Sequence, residues 1–242
     1  MSDVPSRARS TDPAATRIVL LDTPRGCRDH VYLQDLVWGF DPPEAVPVHL
    51  LVAVAHNGGV VLGAYDGDEI VDALLGLPAL HDGHLAHLSH QLAVHPAYRH
   101  RGVGAALKWR QRNLVLAQGI DAIIWTFDPL QARNARLNLS WLGAEVRHDV
   151  RDYYGPMNDG RLNAGLPSNR LMVTWALDTP RVRERAAATE GAPPRALHSC
   201  LAPRRARPPA RRTCVSPRPS RCRPPGTRPA WCSSRSLSIS GP

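Results

Sequence analysis

The alternation of apolar and polar positions along the chain predicts a sheet whose strands are interrupted by helices. Short runs rich in apolar and β-branched residues predict strands at residues 16–21, 60–65, 69–77, 85–94, 120–127 and 171–177. Apolar positions at helical spacing predict helices from Asp22 to Gly39, from Ala105 to Gln118 and from Gln131 to Leu142. The apolar segment from Pro47 to Ala55 fits either a helix or a strand. The expected fold class is α/β (α+β), a mixed sheet with helices on its faces.

The helix predicted after residue 104 shows two chemically different sides. Its apolar side holds Val103, Ala106, Leu107 and Leu114. The other side holds most of the polar residues, namely Lys108, Arg110, Gln111 and Arg112. This division predicts an amphipathic helix that packs on the sheet with its apolar side.

Composition divides the chain into a central segment and two polar ends. Residues 1–15 are polar, include two prolines, and are expected to be disordered. Residues 181–242 hold 14 arginines, 11 prolines and two acids, which gives them a charge of +12 and leaves −3 for the rest. Such a segment buries too little apolar area to offset the entropy of ordering. We therefore expect a folded domain at residues 16–178 and a disordered Arg/Pro-rich tail at residues 179–242.

Three interpretations of this tail stay open. A GC-rich gene read in a wrong frame gives such a composition, rich in Arg, Pro and Ser and without lysine, and would make the tail non-native. A genuine disordered linker or solubilising tail has a similar composition. The third interpretation is an arginine-rich arm for nucleic acid or a membrane surface. The tail has no repeated interleaving of aromatic residues with its charges, and Trp231 stands alone among them, so nucleic acid is the less favoured partner.

Cysteine use and hydropathy predict a cytoplasmic protein. Four of the five cysteines lie in the tail, so the domain holds just Cys27 and no disulfide framework. No apolar run reaches membrane-spanning length, and the N-terminus lacks the apolar segment of a signal peptide. We therefore expect a soluble protein without a membrane partner.

The most informative stretch runs from Gln91 to Ala105, and predicts a strand, a basic glycine-spaced loop and a helix N-terminus. Free N–H groups and the positive end of the helix dipole favour an anion at such a junction. Gly102 and Gly104 permit close backbone approach and positive φ. Arg99 and Arg101 add full positive charge. The stretch therefore predicts a phosphate site.

The spacing Arg-x-x-Gly-x-Gly directly after Val-x-Pro resembles the pyrophosphate loop of the GNAT acyltransferase superfamily. Further segments resemble one subfamily of predicted GNAT acyltransferases, and the resemblance spans about residues 17–177. These segments are Val37-Trp38-Gly39, Gly102–Gln111, Trp125–Leu130, Asn134-Ala135, Leu142-Gly143-Ala144, Tyr154-Gly155 and Gly165-Leu166-Pro167 with Arg170. The resemblance implies the GNAT fold.

The resemblance also implies acetyl-CoA or another acyl-CoA as donor substrate, with its pyrophosphate in the loop and its thioester along the preceding strand. The acyl group is then expected beside the backbone of Val94. The implied binding residues are Leu92, Val94, Arg99, His100, Arg101, Gly102, Val103, Gly104, Ala105, Asn134 and Asn138. For Asn134 and Asn138, a solvated helix face is the alternative.

The implied reaction is direct attack of an amine on the thioester in a ternary complex, which needs a base and an oxyanion donor. His90, on the strand before the loop, has a suitable pKa for a base. Asp128 follows a strand at the end where ligands of open sheets gather. A sheet-face histidine and a helix N-cap are the corresponding structural alternatives.

The departing thiolate also needs a proton. The tyrosine that GNAT enzymes usually provide for this step aligns with Leu139, so this sequence departs from the pattern. Protonation then falls to Tyr153, Tyr154 or solvent, or the domain binds CoA without turnover.

Five histidines between residues 81 and 95 raise the question of a metal site. They are His81, His84, His87, His90 and His95. Strand geometry places neighbouring members of this series on opposite faces, and no cysteine accompanies them. We therefore expect no metal.

The favoured function is acyl-CoA-dependent N-acyl transfer, with acetyl as the default group, to the amine of a small molecule such as an amino acid. A non-catalytic acyl-CoA-binding module and a nucleic-acid-binding tail are the alternatives. Formation of a homodimer is left open.

Overall fold

The structure, a computed structural model, describes residues 16–39, 45–155 and 167–190. Its strands are β1 (Arg17–Leu20), β2 (Val60–Asp66), β3 (Glu69–His81), β4 (His84–Val94), β5 (Ala122–Phe127), β6 (Glu145–Val150) and β7 (Arg170–Ala176). Its α-helices are α1 (Pro24–Trp38), α2 (Val48–His56), α3 (Val103–Ala117), α4 (Ala132–Ala135) and α5 (Pro180–Glu190). A 3₁₀ turn (Pro96–Tyr98) precedes α3, and α4 continues as a π-helix (Arg136–Leu142). The predicted disorder of residues 1–15 lies outside the described residues.

The strands form one sheet in the order β1-β2-β3-β4-β5-β7-β6. Neighbouring strands are antiparallel except β4 and β5, which are parallel and share two residue pairs, His87 with Ile123 and Leu88 with Ile124. Beyond Leu88, β4 continues to Val94 without further pairing to β5, which stays paired with β7. The two central strands therefore diverge, and the sheet has an opening whose vertex is the Leu88–Ile124 pair. The predicted mixed α/β fold is confirmed.

Apolar side chains on the two faces of the sheet build two cores. One core joins α1 and α2 to the sheet through residues such as Leu33, Leu51 and Leu75. The other joins α3, the π-helix and α5 to the opposite face through residues such as Leu107 and Trp175. Helices thus cover both faces of the sheet that contains the opening.

The polar side predicted for α3 was wrong for three of its four residues. Lys108, Gln111 and Arg112 are 2%, 0% and 8% exposed, whereas Arg110 is exposed. The reason is that α3 packs against the sheet and also against the residues that follow β7. Arg112 Nε donates to the carbonyl of Leu177 at 2.8 Å. This bond satisfies a polar group of Arg112, which periodicity alone assigns to the polar side of the helix.

One strand escaped sequence prediction, and one ambiguous segment is resolved. β6 escaped because most of its residues are exposed and polar, so it shows no apolar alternation. It pairs with β7 at the edge of the sheet. The segment that fitted either a helix or a strand forms α2, whose Leu51 is buried in the core.

The folded domain extends past residue 178, where the sequence predicted the disordered tail to begin. Residues 180–190 form α5, whose Val182 is 1% exposed in the core. Arg181 and Arg185 donate to the carbonyl of Leu139 near the end of the π-helix, at 3.2 and 2.9 Å. Cations at a helix C-terminus are favourable, so these arginines stabilise the fold instead of marking a tail. The remainder of the predicted tail lies outside the described residues.

No helix among the described residues is long and apolar enough to cross a membrane.

Candidate active site

The basic loop between β4 and α3 is anchored to the sheet. His95 Nδ1 accepts a hydrogen bond from the N–H of Ala97 at 3.1 Å, which caps the 3₁₀ turn. Tyr98 is buried, and its hydroxyl donates to Asp66 at 2.8 Å. The guanidinium of Arg101 lies 4.7 Å from the centre of the Tyr98 ring. The loop is therefore fixed at its base directly before the start of α3.

The N-terminus of α3 lacks a side-chain cap among the described residues. Gly102 precedes the helix with φ 84°, and its carbonyl accepts the first helical bond from the N–H of Ala106 at 3.0 Å. The N–H groups of Val103, Gly104 and Ala105 therefore have no intrahelical acceptor. Together with the helix dipole they suit an anion.

Gly104 lies where the first turn of α3 packs close to the sheet. A Cβ atom there would lie 3.3 Å from Val94 Cγ2 and 3.4 Å from Asp72 Oδ2. Asp72 is fully buried, and burial raises the pKa of its carboxyl well above the usual value. A neutral carboxyl behind the loop does not repel phosphate, so Asp72 is compatible with an anion at this position.

The opening between β4 and β5 leads away from this helix terminus. The side of β4 that faces the opening, from Ser89 to Val94, is not paired with β5. It includes Leu92 and Val94, the two strand residues assigned to the donor from sequence. An extended chain of amides can hydrogen-bond to such a free strand edge.

His90 lies in a β-bulge beside the vertex of the opening. Leu75 pairs with Gln91 and Gly76 with Ser89, so His90 is the extra residue in β4. Its side chain is exposed, yet neighbouring protein removes enough water to lower its pKa below the usual 6.5. His90 is therefore neutral at pH 7 and able to accept a proton.

A buried histidine and glutamine on α1, which sequence reasoning missed, support this bulge. The Gln34 amide bonds both backbone groups of Val46, and Gln34 Oε1 also accepts from Gln91 Nε2 at 3.3 Å. Its Nε2 donates to His30 Nδ1 at 3.2 Å, so the neutral His30 ring carries its proton on Nε2. Burial lowers the pKa of His30 to about 4. The one sequence signal was a His and a Gln four residues apart on the core side of α1.

The opposite wall of the opening carries Tyr154. Its hydroxyl lies 3.4 Å from Thr126 Oγ1 on β5, and its backbone N–H donates to Ser168 Oγ at 2.9 Å. The Arg170 guanidinium lies 5.3 Å from the centre of its ring. Thr126 is two residues beyond the vertex on β5, as His90 is on β4. His90 thus lies on one of the two diverging strands, and the hydroxyl of Tyr154, from the turn after β6, lies beside the other.

Three other predicted site residues follow β5 along the chain, namely Asp128, Asn134 and Asn138. Asp128 Oδ1 accepts from the N–H of Leu130 at 2.8 Å, so it stabilises the turn between β5 and α4. Asn134 is exposed on α4. Asn138 is 5% exposed in the π-helix, and its carbonyl accepts from the N–H of Ala144 at 2.9 Å.

Two further kinds of group are potential metal ligands and the thiol of Cys27. The described residues contain no group of three or more His, Cys, Asp or Glu side chains that could hold a metal ion. Cys27 is buried, its thiol donates to the carbonyl of Leu21 at 3.4 Å, and burial raises its pKa. A thiolate nucleophile is therefore disfavoured at this position.

A mixed sheet with diverging central strands, joined by a basic loop to an open helix N-terminus, defines an acyltransferase architecture. The profile of the acetyltransferase (GNAT) family matches residues 26–141. Residues 26–141 therefore carry a GNAT acetyltransferase domain. A comparison with curated protein sequences gave no match.

Solved structures confirm the GNAT fold. The ribosomal-protein-S18-alanine N-acetyltransferase of Escherichia coli is similar with a TM-score of 0.54 and 15% identity, over 68% of this chain and 95% of that one. The yncA protein of Salmonella typhimurium, solved with its cofactor acetyl-CoA, has a TM-score of 0.54 and 17% identity over the same shares. Naa50 of Arabidopsis thaliana, bound to a bisubstrate analogue, has a TM-score of 0.51 and 15% identity over 66% and 97%.

Proposed function

We propose that this domain is an N-acetyltransferase that moves the acetyl group of acetyl-CoA to the amine of a small molecule such as an amino acid. The observation that carries the proposal is the unpaired edge of β4, which runs from the open N-terminus of α3 to the bulge at His90. The groups that bind the anion, pair with the amides of the donor and take up the proton are then arranged in this order along β4.

The donor substrate fits the groups at the helix terminus. The free N–H groups of Val103, Gly104 and Ala105 bind the pyrophosphate, and Arg99, His100 and Arg101 surround it with donors and positive charge. The edge of β4 binds the amides of the pantetheine arm. Asn134 and Asn138 lie along the helix that follows β5, where they contact the arm or the nucleotide.

The acyl group lies along the free edge between Val94 and the bulge. Its sequence-based position, beside Val94, is at the end of the edge nearest the loop. The pantetheine arm is long enough to follow the strand farther, so its length favours a position of the acyl group at the other end, nearest His90. Backbone N–H groups of this edge would then stabilise the oxygen of the tetrahedral intermediate.

His90 acts as the base. Its neutral ring takes a proton from the attacking amine while the new C–N bond forms and the C–S bond of the thioester breaks. His90 lies in the bulge beside the vertex of the opening, and Gln91, next to it, is held by Gln34. Tyr154 and Asp128 are the remaining candidates for proton transfer, and both follow strands on the other wall.

A binding measurement tests the donor assignment. Acetyl-CoA at about a hundred times its dissociation constant is expected to raise the stability of the full chain by about 2.7 kcal/mol, seen as a higher melting temperature. Arg99→Glu should weaken binding at least about tenfold, because it reverses a charge next to the phosphates. Arg110→Glu makes the same change on the exposed side of α3 and should bind like the parent.

The controls separate this proposal from its alternatives. No stabilisation of a folded parent chain contradicts the proposal, and equal binding by both arginine variants contradicts the assignment of the loop. Succinyl-CoA, measured beside acetyl-CoA, reports the preferred acyl group. A chain that binds acetyl-CoA but never releases free thiol with any amine would be a binding module, as the leucine at position 139 suggests.

A further inference from the structure

A buried polar cluster surrounds Lys108, the one lysine of the chain, behind the opening. Its Nζ donates to Ser89 Oγ at 2.8 Å and to Gln111 Oε1 at 3.2 Å, and lies 3.9 Å from the centre of the Trp125 ring. No carboxylate lies within ion-pair distance of it among the described residues. Burying an ammonium without an anionic partner costs free energy, so stability alone does not account for a lysine here.

The cluster lies at the vertex of the opening. Ser89 and Trp125 are the first residues of β4 and β5 beyond the last pair that joins these strands. Ser89 is 7% exposed and Lys108 is 2% exposed. The serine hydroxyl accepts from the Lys108 amine and donates to Gln111 Oε1 at 3.1 Å, and a rotation about its C–O bond redirects its proton to a nearby acceptor.

The proposed function brings a sulfur atom towards this hydroxyl. The free edge from Val94 to Ser89 is about 16 Å long at the usual rise of a strand, and the extended pantetheine arm is of similar length. An arm anchored at the N-terminus of α3 and extended along β4 ends at the vertex. We propose that Lys108, acting through the hydroxyl of Ser89, supplies the proton that the departing thiolate takes up.

Protons and electron pairs balance in this step. When the C–S bond breaks, the sulfur keeps the electron pair and takes the hydroxyl proton of Ser89. Ser89 is reprotonated by the Lys108 ammonium, which becomes a neutral amine. After CoA leaves, the opening admits water, and Lys108 regains its proton through Ser89. This relay takes the place of the family tyrosine, whose position is Leu139 in this chain.

The charges around Lys108 suit proton donation near neutral pH. Burial lowers its pKa to about 7. Among the described residues, His87 on β4 is a titratable group coupled to Lys108, and burial lowers its pKa to about 4, so it stays neutral at pH 7. Gln111 on α3, Trp125 on β5 and Trp175 on β7 are uncharged, and the Trp175 ring centre lies 5.9 Å from Nζ.

The single lysine makes the test direct. In the full chain labelled with ¹³C-lysine, one Cε signal reports the titration of Lys108 by NMR. CoA should shift this titration to higher pH than desulfo-CoA, which has hydrogen in place of the thiol, because a thiolate stabilises the ammonium. Ser89→Ala should reduce the difference between the two ligands. If both ligands raise the melting temperature but Lys108 titrates at the same pH with each of them, this inference is wrong and the proposed function is unaffected.

Failure of the proposed function looks different. If neither ligand stabilises the parent chain, the donor assignment and this inference fall together. With an identified acceptor, Lys108→Met should lower kcat by roughly a hundredfold and remove the loss of rate at high pH, with KM for acetyl-CoA unchanged. Its melting temperature should not fall, because methionine replaces a buried unpaired cation at similar volume. An unchanged kcat and pH profile in a folded variant contradicts the relay.

Discussion

A chain that ends at residue 178 is expected to melt roughly 10 °C below a chain that ends at residue 190. The difference is α5, which buries Val182 in the core and gives two arginine hydrogen bonds to the carbonyl of Leu139. Burial of one valine and two charge-assisted bonds together contribute about 4 kcal/mol, a large share of the stability of a domain. Thermal unfolding of the two purified chains measures the difference.

Point variants separate the helix from the residues around it. Val182→Ala should cost about 2 kcal/mol, because two buried methyl groups are lost. Arg183→Ala on the exposed side of the same helix is the matched control, since its 3.7 Å contact with Asp178 is a surface ion pair. It should change stability by less than about 0.5 kcal/mol. Equal melting of the two truncated chains would mean that α5 adds nothing to the fold.

Helix α5 also shows why composition misplaced the end of the domain. Proline and arginine content averaged over 62 residues concealed one apolar residue, Val182, at a position where the sheet and the π-helix leave a hydrophobic surface. In the composition, a high arginine content indicates a disordered tail. In the fold, two of these arginines donate hydrogen bonds that hold α5 in place. Only the fold reveals the carbonyl of Leu139 that makes the difference.

The positions of most strands along the chain and the helix that follows the loop were predictable because their signals are local. Apolar runs with clear glycine and proline boundaries predicted five strands, β2, β3, β4, β5 and β7. Most of the predicted ends lie within a few residues of the observed ends. The bulge at His90 was not predictable, since register depends on pairing with β3 and leaves no pattern in β4 alone. The polar clusters of Gln34 and Lys108 escaped for a related reason: buried polar residues look like solvent-facing ones until their partners are known.

His90→Gln is expected to reduce the rate of acetyl transfer by about a hundredfold or more while leaving the stabilisation by acetyl-CoA unchanged. The base acts after the donor is bound, so its loss affects turnover and not binding. The assay is thiol release from acetyl-CoA with the amine that gives the highest rate among amino acids and other small amines. His84→Gln, at the exposed start of β4, is the matched control and should behave like the parent.

The pH profile carries the more specific information, because a structural role does not produce it. Only the neutral form of His90 accepts a proton, and desolvation lowers its pKa below the usual 6.5. In the parent, kcat should therefore rise as the pH increases through this lowered pKa, on the acidic side of the fall that deprotonation of Lys108 causes. The glutamine variant should lose this rise. If it keeps both its rate and the acidic limb, the base is another group, and Asp128→Asn and Tyr154→Phe decide between the two candidates on the opposite wall.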